Sequence, residues 1–99
     1  ENGWQSDALY AEQYVRMRSQ KGYGQVAIRR DLDQRGIASD LINIALATAQ
    51  IDWQTLAEQV RVKKFGASLP TTFSVQAKQQ QFLQYRGFEA SDMRPLFDC

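Results

Sequence analysis

The chain has 99 residues, of which 43% are apolar and 23% charged, and a formal net charge of +1. A polymer this short makes one compact domain or two very small ones, which excludes a large enclosed active site, and its composition is that of an ordinary soluble globular protein and not of a disordered one. No apolar run is long enough to cross a bilayer, and the Glu1-Asn2-Gly3-Trp4 start has neither the basic nor the apolar region of a secretory signal, so the reading is cytoplasmic with no membrane contact.

The first predicted element is a helix over about 6–20. Leu9, Tyr10, Tyr14, Val15 and Met17 recur at spacings near three and four, and Ser6-Asp7 offers an N-cap. It should stop at Lys21-Gly22-Tyr23-Gly24, where two glycines make a turn. A second helix follows over about 25–34, with Ile28 and Leu32 on one side and Arg29 with Asp33 on another, and Gly36 ends it. The third opens at Ser39-Asp40 and carries Leu41, Ile42, Ile44, Ala45, Leu46 and Ala49, a composition that predicts burial. A fourth begins near Asp52, with Ile51 and Leu56 spaced as a hydrophobic staple and Trp53, Leu56, Ala57 and Val60 as its inner stripe. Residues 67–73, with Pro70 and two threonines, read as the one long irregular stretch. A fifth helix covers about 74–85 and ends at Gly87. A short sixth starts at Ser91, with Pro95 awkward beyond its first turn. No segment alternates with period two, so no strand is assigned.

The chemistry available to this chain is limited. Histidine, the commonest general base and metal ligand at neutral pH, is absent. The only cysteine is Cys99, which excludes an internal disulfide and a cysteine-rich metal site and reads as an incidental tail residue. No serine sits in a nucleophile elbow, and Lys21-Gly22-Tyr23-Gly24 fits neither a phosphate loop nor a dinucleotide fingerprint. The expectation is a protein that is not an enzyme and uses no cofactor or metal.

The two halves share a plan. Arg35-Gly36-Ile37 followed by Ser39-Asp40-Leu41 recurs in the same order as Arg86-Gly87-Phe88 followed by Ser91-Asp92-Met93, with Leu32 and Leu83 four residues before the respective glycines. The basic aromatic turn Lys21-Gly22-Tyr23-Gly24 has its counterpart in Lys64-Phe65-Gly66. The predicted fold is therefore all-α: tandem three-helix repeats, residues 1–50 and 51–99, forming an elongated, right-angle-packed helical body with no strands. Units of this size stand poorly alone, so they should stack and share a core. The alternative is convergence of both halves on common helix-ending chemistry.

Charge is segregated along the chain. Over 14–35, Arg16, Arg18, Lys21, Arg29, Arg30 and Arg35 face only Asp31 and Asp33; over 61–86, Arg61, Lys63, Lys64, Lys78 and Arg86 face no acid at all. Stacked repeats would align these blocks into a basic strip that attracts phosphate backbones or an acidic protein surface, an attraction that weakens with salt. The competing account is a set of solvated helix faces complementing helix dipoles. Tyr23 and Phe65 sit in the turns beside the cations, placed to stack on a base or fill a partner's pocket, or to seal the local core. Trp53 reads as core and Trp4 as loosely held.

At this point the sequence resembles the RecX family. The resemblance is carried by Tyr14 with Arg16 and Arg18, Lys21-Gly22-Tyr23-Gly24, Ile28, Leu32, Arg35-Gly36-Ile37, Asp52-Trp53, Lys63-Lys64-Phe65-Gly66, Lys78, Phe82-Leu83 and Tyr85-Arg86-Gly87-Phe88. It implies the family's second and third three-helix repeats, with an N-terminal repeat missing, which agrees with the lack of an initial methionine. It further implies a monomeric negative regulator of recombination that binds along the groove of the RecA filament on DNA and suppresses filament growth, ATP hydrolysis and strand exchange. The residues this reading assigns to contact with RecA or DNA are Arg16, Arg18, Lys21, Tyr23, Arg29, Arg30, Arg35, Lys63, Lys64, Lys78 and Arg86. The competing function is a sequence-independent DNA-binding helical module in which the same cations grip phosphates.

Overall fold

The computed structural model describes residues 3–68 and 70–97, with side chains from residue 6 to residue 93 apart from residue 69. Six helices follow in order: α1 (Gly3–Gln20), α2 (Gln25–Gln34), α3 (Ser39–Thr48), α4 (Trp53–Phe65), α5 (Phe73–Tyr85) and α6 (Ala90–Phe97). There is no strand among the described residues.

The helices fall into two trios of one topology. In the first, α1 packs most extensively on α3 while α2 lies across both; in the second, α4 packs on α6 with α5 in the place of α2. The body measures 56 × 19 × 19 Å, the elongation expected of stacked helical units.

The recurring Arg-Gly-apolar signature has one physical cause. Arg35 and Arg86 end α2 and α5; the next residues, Gly36 (φ +84°) and Gly87 (φ +95°), take a conformation that side chains resist. Gly36 N–H then donates to Asp33 O, and Ile37 N–H reaches back to Leu32 O at 3.1 Å; Gly87 N–H donates to Gln84 O, and Phe88 N–H to Leu83 O at 3.1 Å. Each closure drops the apolar residue beside the leucine it bonds, in the same buried cluster. The leucine four residues before each glycine is thus the residue on which the turn closes.

The expected shared core is not what forms. Ala11, Val15, Ile28, Leu32, Ile42 and Leu46 build one cluster, while Ala57, Leu83, Phe88 and Met93 build another. Trp53, only partly buried, touches both. The closest approach of the trios is main chain on main chain: Gly24 N–H donates to Arg86 O and Val26 N–H to Gly87 O, both at 2.8 Å. A Cβ on Gly24 would lie 2.5 Å from the backbone of Gly87 and Phe88, and one on Gly87 would meet the backbone N of Ala27 at 2.5 Å. Backbones this close leave no room for side chains between them at this contact, and the two clusters stay distinct, bridged only partly by Trp53. Gly24 is the N-cap of α2; the equivalent N-cap of α5 is Thr72, whose hydroxyl accepts the Val75 N–H.

Smaller differences concern helix starts. α1 begins before Ser6, so Ser6-Asp7 is not its cap, and Trp4 is in the helix, not ahead of it. Ala38, not Ser39, precedes α3 and gives no side-chain cap. Asp52 does cap α4, accepting the Thr55 N–H at 3.1 Å. α6 runs through Pro95. Cys99 lies outside the described residues.

Candidate functional site

Tyr10, Tyr14 and Arg18 are four residues apart on α1 and so line one side of it. The Tyr10 and Tyr14 rings stack with centroids 5.9 Å apart. Arg35, at the end of α2, donates to the Tyr10 hydroxyl at 2.7 Å and lies 5.1 Å from the Tyr14 ring centroid. Arg18 lies 5.9 Å from Tyr14 and 4.0 Å from Tyr23. Arg86, from the second trio, comes to 5.0 Å from the same Tyr23 ring and 5.2 Å from Phe82. Lys64 Nζ stands 5.4 Å from Phe82, and Phe65 meets Phe82 edge-on at 5.4 Å. Cations and rings therefore alternate without interruption across the joint between the trios.

This arrangement explains how so many like charges coexist. Each ring presents its negative face to a guanidinium or ammonium, about 0.5–1 kcal/mol per contact at an exposed site, which offsets repulsion between neighbouring cations. Arg18 Nε is buried with no hydrogen-bond partner, and the rings of Tyr14 and Tyr23 supply its compensation. The Tyr14 hydroxyl donates to Asp31 Oδ2 at 2.9 Å; burial, and after it this bond, pushes the phenol above the usual tyrosine range.

At the joint the ladder opens into a cleft of about 430 Å³. Its floor is Gly22, Leu56, Val60 and Phe82, and its cations are Lys21 from the first trio with Lys63, Lys64 and Arg86 from the second. Arg86 is held there by donating to Lys21 O at 3.2 Å. None of the four is ion-paired among the described residues.

The structure sorts the sequence-derived residues by position. Arg18, Lys21, Tyr23, Arg35, Lys63, Lys64 and Arg86 lie on the ladder or the cleft. Lys78 is exposed and stands four and eight residues before Phe82 and Arg86, on the same side of α5. Arg16 does not join them: two residues from both Tyr14 and Arg18, it is on the far side of α1, with Glu12 3.7 Å away. Arg29 turns to Asn43 on α3, and Arg30 is exposed without a ladder contact.

Arg61, counted above in the second basic block, is not a surface cation. It is fully buried, gripped by both Glu58 carboxylate oxygens at 3.0 and 3.1 Å and donating to Ser68 O and Gln79 Oε1. The acid-free run is thus interrupted in space by Glu58. Sequence reasoning missed Tyr10 and Phe82 as parts of the face. The available signal was the matching spacing of Tyr10-Tyr14-Arg18 and Lys78-Phe82-Arg86, ring and cation four apart on each helix.

Among the described residues no group of histidine, cysteine or carboxylate side chains is placed to hold a metal, and no helix is long and apolar enough to cross a membrane.

Comparison with known proteins agrees with this geometry. The family description of the second three-helix domain of RecX matches residues 6–46, and that of the third three-helix domain matches residues 50–95. The protein named Regulatory protein RecX from Cronobacter sakazakii is 40% identical over 97 residues, which is 98% of this chain and 59% of that protein. The protein of the same name from Serratia proteamaculans is also 40% identical, with 58% of its length covered, and that from Escherichia coli is 37% identical over a similar span. The chain thus spans about three fifths of the length of these relatives. Their shared name describes them as regulatory proteins. The chain belongs to the RecX family of regulatory proteins.

Proposed function

We propose that this chain is a negative regulator of recombination that binds the RecA nucleoprotein filament and restrains its growth, its ATP hydrolysis and its strand exchange. The observation that carries this reading is the continuous face of cations and rings along a body 56 Å long, a shape suited to a long, repeating partner. Residues 1–50 and 51–99 act in it as two repeat units, and the protein works as a monomer in the cytoplasm. Binding is steric and electrostatic, so inhibition weakens as salt rises.

The same cations would attract DNA phosphates, which makes a sequence-independent DNA-binding module the second reading. Against base stacking stands the state of the rings. Tyr23 already carries two guanidiniums, and Phe82 carries Arg86, Lys64 and the edge of Phe65. Titration against preformed RecA filaments, and separately against bare single- and double-stranded DNA, tests the choice. Tighter binding to filaments is expected; equal affinity for all three would overturn the filament reading. Reversing charge at Lys63 and Lys64 is expected to abolish inhibition with helicity intact. Reversal at Arg29 and Arg30, away from the ladder, is expected to weaken it less. Inhibition that survives the first pair makes the strip a merely solvated face.

A further inference from the structure

The cleft between the trios has a feature the ladder alone does not need, an apolar floor beneath unpaired cations. Leu56 and Val60 on α4 are aliphatic and half-buried, and Phe82 closes the side. Lys21, Lys63, Lys64 and Arg86 surround them from two different trios. A purely electrostatic surface for a phosphate backbone has no use for such a floor. The ring of Phe82 is engaged by cations and by Phe65, which leaves no platform on which a base would stack.

From this arrangement we infer that the cleft is a docking site for an acidic peptide segment of a protein partner, one that sets an apolar side chain on Leu56 and Val60, beside the occupied ring of Phe82, and flanks it with carboxylates for the four cations. The inference rests on the protein-partner reading above and names what that partner presents. The argument is complementarity of both kinds. A cleft of about 430 Å³ takes one large side chain with its neighbouring backbone. The cations around it are free of internal carboxylates among the described residues. The apolar contact fixes register, and the ion pairs supply attraction and on-rate. Because Lys21 and Arg86 come from different trios, the site exists only while the joint is closed.

The test uses the full chain and three fluorescein-labelled probes: a short glutamate-rich peptide with one central leucine, the same peptide with serine for leucine, and a thymidine oligonucleotide of equal charge. Fluorescence anisotropy is expected to show the leucine peptide binding, with a loss of about tenfold on the serine exchange, in keeping with burial of one aliphatic side chain. Lys63→Glu with Lys64→Glu should remove that binding, while Arg29→Glu with Arg30→Glu, the same change of charge away from the cleft, should leave most of it. Amide shifts of the unaltered protein on titration give a readout that no variant's folding can spoil, and they should concentrate at Lys21, Val60 and Phe82. Equal affinity for the leucine and serine peptides, an oligonucleotide that competes with the leucine peptide at equal strength, or shifts confined to α3 would each overturn the inference. Its failure is separable from that of the filament reading. Filaments preferred over DNA with no peptide binding would remove the cleft and keep the function. Peptide binding with equal affinity for filaments and DNA would do the reverse.

Discussion

Replacing Gly87 by alanine isolates the joint between the trios, because Gly36 offers a matched control. Both glycines follow an arginine helix end and both hold a positive φ, +95° and +84°. An alanine at either position carries about 1 kcal/mol of backbone strain. At Gly36 the new methyl group has nothing within 4 Å, so strain is the whole cost. At Gly87 it would lie 2.5 Å from the backbone of Ala27, which cannot rotate away, so the joint must open. Opening removes the Gly24-to-Arg86 and Val26-to-Gly87 main-chain bonds, about 1 kcal/mol net each. The expected loss is therefore about 3 kcal/mol for Gly87→Ala against about 1 kcal/mol for Gly36→Ala. Urea unfolding followed by circular dichroism measures it. Because the two cores are separate, Gly87→Ala should also split a single transition into two and change the small-angle scattering profile toward a larger radius of gyration. Equal losses for the two variants, with one shared transition and an unchanged profile, would refute the idea that this backbone contact joins the trios.

Two further outcomes follow from side chains away from the ladder. Arg61→Ala leaves the buried Gln79 amide and the Ser68 carbonyl without their donor and opens a cavity, and should cost about 2 kcal/mol, read as a fall in Tm; a loss below about 0.5 kcal/mol would mean that the guanidinium does not anchor the segment after α4. The Asp52 carboxyl is held below the usual carboxylate range chiefly by the Thr55 backbone N–H. Its contribution to the start of α4 is therefore complete above the ordinary carboxylate pKa and is lost as pH falls through the depressed one. Asp52→Asn should keep the cap at neutral pH and remove that part of the acid sensitivity; an unchanged acid-unfolding profile would show the contribution to be absent.

The all-helical fold and the twofold plan were legible because their determinants are local. Glycines after Arg35 and Arg86, leucines four residues earlier, and an apolar residue after each glycine set helix ends without reference to the rest of the chain. The joint was not legible. Nothing in Gly24 or Gly87 taken singly says that their backbones meet, since the two lie far apart in sequence and neither has a side chain to carry a pattern. Charge was half legible. Composition located the two basic blocks, but a count cannot tell Arg61, buried on Glu58, from Lys63 and Lys64 two and three residues later on the cleft. Helical phase, applied residue by residue, would have removed Arg16 from the strip and added Tyr10 and Phe82.

The N-cap of the second helix in each trio gives the body a direction. The first trio is a socket because Gly24 has no side chain to bar a neighbour's turn, and the Arg86-Gly87 turn is the plug that fills it. The second trio's matching rim carries Thr72, whose Cβ and engaged hydroxyl occupy that space, while the Arg35-Gly36 turn of the first trio stays exposed as a plug of the same make. The two ends of the body therefore differ in kind, an exposed arginine-glycine turn at one and a threonine-capped rim at the other.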